Sequence, residues 1–299
     1  MKRALLAIGF LIGIIAQPAA AAEKVTEATP ALWVAHGPKG TVYMLGSIHA
    51  LPKNVHWQTP AIATAMAAAD TFVFELPMDA ANRDRIGEMF LKNGLMPMSQ
   101  SLPSLFDQDM LDQYRQVILT THADPGAIVY MRPWLAAMVL EGAADGTDKL
   151  LASEGVDNRV YAEVANRKGV HFRALETDEL QMRLLMGDGD LRTELAALRL
   201  AFVQILARKG GQSVDGLLAA WEKGDTKTIE TQFGLANKSV STAAMKAFLE
   251  DRNRAWVPQV VGMLNEKHVF FMTVGAAHLA GSTGVPNLLR AQGYKVDGP

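Results

Sequence analysis

Short apolar runs near both ends of the chain alternate with turn residues and predict β-strands. They cover residues 31–35, 41–45, 71–76, 268–274 and 294–296. The run at 71–76 is apolar on both alternations, which is typical of an interior strand covered on both faces. We therefore expect the two ends of the chain to supply most of a sheet.

The middle of the chain has longer stretches with helical spacing of apolar residues. The predicted helices there are 79–92, 106–120, 133–141, 155–168, 190–209, 214–223 and 242–264, and helices at 60–69 and 286–292 flank this region. Residues 170–175 are the exception, because β-favouring residues alternate there and predict one more strand.

The same order of elements occurs twice. A strand, Gly46-x-x-His49, a loop, a helix led by Pro60 and a strand form the first unit. A strand, Gly275-x-x-His278, a loop, a helix led by Pro286 and a strand form the last. This predicts an α/β fold with a central mixed sheet formed by N- and C-terminal βαβ-like units facing each other. A large helical middle section would cover that sheet, with residues 23–299 forming one domain.

The first 22 residues have the pattern of a secretory signal peptide. A basic start at Lys2-Arg3 precedes an apolar stretch and a run of small residues, Ala19 to Ala22. The apolar stretch is shorter than the roughly 20 residues needed to span a bilayer. We therefore expect cleavage near Ala22, no stable membrane anchor afterwards, and a periplasmic or secreted protein.

The amino-acid composition excludes several classes of functional site. The chain has no cysteine, so disulfides, thiolate metal sites and cysteine nucleophiles are excluded. The formal net charge is −2, and no Lys/Arg-rich run is interleaved with aromatic residues, so nucleic-acid binding is not expected. The motifs of serine-hydrolase elbows, phosphate-binding loops and zincins are likewise missing.

Three polar side chains lie at or just after the carboxyl ends of predicted strands, where open α/β sheets bind ligands. They are His49, Glu75 and His278. Two histidines and a carboxylate suit a divalent metal with positions left for water. Alternatively Glu75 acts as a general base, or each of the three is a hydrogen-bonded structural residue. Arg252, on a predicted helix, could pair with Glu75 or stabilise a substrate oxyanion.

An ordered set of motifs resembles the TraB/GumN family, which includes the Tiki and pheromone-shutdown proteins. The set is Leu45-Gly46-Ser47-Ile48-His49, Phe74-Glu75-Leu76, Gly155-Val156-Asp157, Leu175-Glu176-Thr177 with Gln181, Arg252-Asn253-x-x-Trp256, Val274-Gly275-Ala276-Ala277-His278 and Gly293-Tyr294. The resemblance implies a fold like that of erythromycin-esterase and ChaN-like proteins. It also implies a site made of the two Gly-x-x-His motifs, a glutamate and an arginine.

Tiki proteins are metal-dependent proteases, so the resemblance further implies manganese or cobalt as cofactor; zinc also suits the ligand set. We accordingly predict an exported metal-dependent hydrolase, a peptidase, with His49, Glu75 and His278 holding the metal. Glu75 and Arg252 would be the catalytic residues, and the substrate a peptide or small molecule. The alternative is a non-catalytic periplasmic protein that binds a peptide or small ligand in the same cleft.

Overall fold

A computed structural model describes residues 25–144, 150–187, 189–207, 214–236 and 246–299. The predicted signal peptide and the start of the helix predicted at 242–264 lie outside the described residues. Within the described part of the chain, no helix combines the length and apolar character needed to cross a membrane.

The strands form one large and one small sheet. They are β1 (Thr26–Glu27), β2 (Leu32–His36), β3 (Thr41–Ser47), β4 (Val55–His56), β5 (Thr71–Phe74), β6 (His171–Ala174), β7 (Val269–Gly275) and β8 (Lys295–Asp297). The large sheet has the order β6-β5-β7-β3-β2-β8, and β1 pairs in parallel with β4. β7 is parallel to both β5 and β3, whereas β2 runs against β3 and β8. The predicted mixed α/β sheet built from both ends of the chain is confirmed.

The two βαβ-like units interleave, which differs from the facing arrangement that we expected. β7 of the last unit lies between β3 and β5 of the first, and β8 reaches the far edge beyond β2. The register sets Ser47 beside Gly275 and Phe74 beside Thr273, so these three strands end almost level.

The helices account for most of the middle of the chain. They are α1 (Pro60–Ala68), α2 (Ala80–Gly94), α3 (Gln108–Thr121), α4 (Pro125–Ile128), α5 (Pro133–Ala144), α6 (Val156–Val164), α7 (Asp178–Met186), α8 (Leu191–Ala207), α9 (Val214–Glu222), α10 (Thr226–Ala236), α11 (Arg252–Leu264) and α12 (Val285–Ala291). A π-helical turn, Lys246–Asp251, leads directly into α11. Of these, α4, α7 and α10 were not predicted from the sequence.

Alternating strand residues pack into two layers. Phe72 and Phe271 face a core completed by α1, α6, α9 and α10. Val73 and Met272 face the opposite core, which α11 and α12 complete. A third cluster belongs to the helical section itself, where α3, α5 and α8 pack together around residues such as Phe202. Only part of the helical middle therefore covers the sheet, and the rest has its own core.

Candidate functional site

The structure brings His49, Glu75 and His278 together at the carboxyl ends of three neighbouring parallel strands. A Cβ placed on Gly275 would lie 3.3 Å from Glu75 Oε1, 3.5 Å from His278 Cδ2 and 3.6 Å from His49 Nε2. All three atoms lie within 3.6 Å of this one point, so they also lie close to one another. The convergence expected from strand-end positions is present.

Gly275 is part of this arrangement because it has no side chain. A Cβ at this position would fill the space between the three groups. The backbone N–H of Gly275 also donates to Glu75 Oε1 at 2.7 Å. A larger residue would crowd the crevice and disturb the carboxylate at the same time.

His278 is buried, with 4% of its surface exposed. Its Nε2 lies 3.0 Å from Arg252 Nη1, and its Nδ1 lies 2.6 Å from Asn253 Oδ1. Because a guanidinium only donates, Nε2 accepts and Nδ1–H donates to the amide oxygen. Burial, together with the positive charges of Arg252 and His49, outweighs the attraction of Glu75 and lowers the pKa of His278 to about 3. The ring is therefore neutral across the physiological range.

His49 has the opposite surroundings. Its side chain is 63% exposed, and its Nδ1 lies 3.2 Å from Asp157 Oδ1. Partial desolvation disfavours the imidazolium, but the hydrogen bond and charge of Asp157, with a contribution from Glu75, raise the pKa of His49 to about 9. The ring therefore carries a proton at neutral pH and can release it in mildly alkaline solution.

Arg252 connects the buried side chains of the site through hydrogen bonds. It is 5% exposed, and its five N–H groups have five partners: Glu176 Oε1, Glu176 Oε2, Glu75 Oε2, His278 Nε2 and the carbonyl of Phe248 in the π-helical turn. The predicted pairing of Arg252 with Glu75 is found at 2.6 Å. Direct donation to a substrate oxyanion would require one of these bonds to break, so Arg252 chiefly fixes Glu75 and His278 in place.

Glu75 is held as a carboxylate. Burial opposes its ionisation, but the positive charges of Arg252 and His49, with the N–H of Gly275, lower its pKa below the usual value. A carboxylate with a lowered pKa is a weak proton acceptor, which makes Glu75 a poor general base compared with His49.

The donor atoms do not fit a divalent metal as they are arranged. Both oxygens of Glu75 accept N–H groups, and both ring nitrogens of His278 have protein partners. Across the described residues, no group of three or more His, Asp or Glu side chains is placed to hold a metal ion. Metal binding by His49, Glu75 and His278 therefore stays a prediction.

Two residues that contact the site, Asp157 and Glu176, were not singled out as site residues from the sequence. Glu176 lies two residues after the end of β6, whereas Glu75 directly follows β5, and the N–H of Glu176 donates to the Glu75 carbonyl at 2.9 Å. The strand-end reasoning that identified Glu75 would have identified Glu176. Asp157 lies in the first turn of α6, where acidic residues are common in any helix, so only the Gly155-Val156-Asp157 motif of the family resemblance pointed to it.

Comparison with known proteins identifies the family. Residues 31–298 match the model of the TraB/PrgY/gumN family, so the chain belongs to that family. No curated protein and no solved structure matches the chain.

Proposed function

We propose that this member of the TraB/PrgY/gumN family is an exported hydrolase of peptide bonds, with its active site in the crevice of His49, Glu75 and Gly275. One observation carries the proposal: the exposed imidazole of His49 is braced at Nδ1 by Asp157, and its Nε2 faces the same point as the Glu75 carboxylate. A braced imidazole beside an open crevice is the arrangement used to activate water. The choice of peptides as substrate rests on the resemblance to Tiki proteins.

In the proposed reaction, Nε2 of unprotonated His49 accepts a proton from a water molecule as the water oxygen attacks the carbonyl carbon. The imidazolium then returns the proton to the leaving amine, so the C–N bond breaks and His49 is regenerated. Glu75 orients the attacking water and stabilises the transient imidazolium. Arg252 keeps Glu75 ionised and His278 neutral, and thereby sets the charge of the crevice.

The test is cleavage of a peptide library by the purified protein, followed by mass spectrometry, with wild type and His49→Ala side by side. His56→Ala is the matched control, because His56 is also an exposed imidazole beside a carboxylate, 3.3 Å from Glu27 Oε1. We expect His49→Ala to lose at least about 100-fold in kcat/KM, and His56→Ala to retain full activity. Equal activity in the two variants, or no cleavage by wild type, would overturn the proposal.

A pH profile adds a second readout. Since only unprotonated His49 accepts a proton, kcat/KM should rise with pH until His49 has titrated, at about 9. The same assays are run with a chelator and after metal analysis of the protein. Loss of activity with loss of a stoichiometric ion would support the metal prediction for His49, Glu75 and His278.

The alternative is a protein that binds a peptide or small ligand without turnover. It is favoured by the closed network in which Glu75, Arg252 and His278 satisfy one another, leaving His49 as the exposed member. It predicts saturable ligand binding that is insensitive to chelators and no cleavage products. The mass-spectrometric assay distinguishes the two functions directly.

A further inference from the structure

We propose that Asp157 is the positioning residue of His49: together with Ser47 and the start of α6, it fixes the ring so that Nδ1 carries a hydrogen and Nε2 faces the crevice. This inference rests on the proposed function only in assigning His49 a working role. The same orientation would serve a general base or a metal ligand, because in both cases Nε2 is the atom that acts.

The carboxylate of Asp157 receives two hydrogen bonds on one oxygen. Ser47 Oγ donates to Asp157 Oδ1 at 2.6 Å, and His49 Nδ1 lies 3.2 Å from the same oxygen. A carboxylate only accepts, so the hydrogen must be on Nδ1 of His49. The buried hydroxyl of Ser47 in turn prevents the carboxylate from rotating away. Two residues from the same strand end are thus tied to one oxygen.

The backbone around Asp157 holds the same segment. The N–H of Val156 donates to the carbonyl of Ile48 at 3.1 Å. A Cβ on Gly155 would lie 2.2 Å from the carbonyl oxygen of His49, so only glycine permits this approach. The Gly155-Val156-Asp157 motif therefore contacts Ser47, Ile48 and His49 at successive positions.

A second attachment lies just beyond. Leu51 and Leu151 exchange backbone hydrogen bonds of 3.2 and 3.0 Å, although they are far apart in the chain. The loop after β3 is therefore fixed at both ends by the segment that leads into α6. This rigidity is what a catalytic side chain on a loop requires.

Helix stabilisation alone does not explain Asp157. Acidic residues in a first turn interact favourably with the helix dipole wherever their side chains point. Asp109 occupies the first turn of α3 and is exposed, as expected for that role. The side chain of Asp157 instead points to a strand end more than 100 positions earlier in the chain. Asp109 is therefore a suitable matched control.

The experiment measures the ring of His49 rather than catalysis. Protein labelled with ¹⁵N in histidine is studied by long-range ¹H–¹⁵N NMR at a pH where His49 is neutral, and the signal is assigned with His49→Gln. We expect wild type and Asp109→Asn to show the hydrogen on Nδ1. In Asp157→Asn the amide can donate to Nδ1, so the hydrogen should move to Nε2, and in Asp157→Ala the two tautomers should mix. Ser47→Ala should loosen the ring without reversing the tautomer.

Kinetics supply the second readout. Asp157→Asn should lower kcat by about 100-fold with KM little changed, while thermal unfolding of the isosteric variant stays close to that of wild type. An unchanged His49 signal in Asp157→Asn would overturn the inference. If wild type shows the expected tautomer but cleaves no peptide, the proposed function fails and the positioning role of Asp157 stands.

Discussion

The two Gly-x-x-His motifs place their histidines at neighbouring strand ends, yet the rings have opposite properties. His49 is exposed beside a carboxylate, and its pKa is raised to about 9. His278 is buried between Asn253 and Arg252, and its pKa is lowered to about 3. One ring is charged at neutral pH and can exchange a proton with solvent, whereas the other is a neutral part of the packed interior.

The difference shows that the Gly-x-x-His motif determines where the backbone places each histidine, whereas the residues that contact the ring determine its pKa. In both motifs the glycine belongs to a strand and the histidine follows within three residues, His49 in a loop and His278 in a 3-10 turn, Ala276–His278. The charge of each ring is then decided by a helix that packs against it, α6 for His49 and α11 for His278. Identical motifs can therefore supply one proton carrier and one structural residue.

The largest effect on stability is expected when Arg252, the cation on the buried side of the site, is removed. Arg252→Ala leaves the carboxylates of Glu75 and Glu176 without their cation, and we expect a loss of about 3–5 kcal/mol in unfolding free energy. Urea unfolding measures it. Arg173→Ala is the control, because Arg173 pairs with exposed Glu266 and should cost no more than about 1 kcal/mol. Similar losses in the two variants would show that the Arg252 network does not stabilise the fold.

The next test compares how much each of the two histidines contributes to stability. His278→Ala removes two buried hydrogen bonds and the contact with the Trp256 ring, whose centroid lies 4.3 Å away. We expect it to destabilise the protein by about 2–3 kcal/mol. His49→Ala should cost less than about 1 kcal/mol in the same urea experiment. If His49→Ala proves the more damaging variant, the division into exposed and structural rings is wrong.

A pH-dependent change in stability should appear in acid. His278 takes up a proton below about pH 6.5 in the unfolded chain but only near pH 3 in the folded protein. Its contribution to stability is therefore complete above pH 6.5 and is lost as pH falls toward 3, with a slope of at most about 1.4 kcal/mol per pH unit. The stability difference between wild type and His278→Gln, followed by urea unfolding from pH 7 to 4, should shrink accordingly. A constant difference would contradict a neutral His278.

The smallest effect should appear in alkali. His49 has a raised folded pKa, so its contribution is complete below pH 6.5 and is lost as pH rises to about 9. The effect is small because the side chain is largely exposed and its ion pair with Asp157 is screened by solvent. The difference in melting temperature between wild type and His49→Gln should narrow from pH 6 to 9. If the difference in melting temperature widens from pH 6 to 9, the folded pKa of His49 is not raised.

Sequence reasoning located the strand ends but could not assign their partners. The placement of His49, Glu75 and His278 followed from apolar runs that end close to these residues, and the parallel pairing of their strands confirms that they meet. Asp157 and Asn253 contact the histidines from helices, and helix approach depends on packing that no local pattern encodes. The sequence accordingly predicted that His49, Glu75 and His278 lie together, but neither their helix-borne partners nor the difference between the two rings.

The interleaved order of the sheet also constrains when the protein can fold. β3 is complete by residue 47 and β5 by residue 74, but the strand that joins them, β7, spans Val269–Gly275. A chain that emerges from its N-terminus must therefore wait for its last few dozen residues before β3 and β5 can enter one sheet. Such long-range pairing makes folding slow. The assembly of the crevice at the ends of these three strands is therefore a late event in folding.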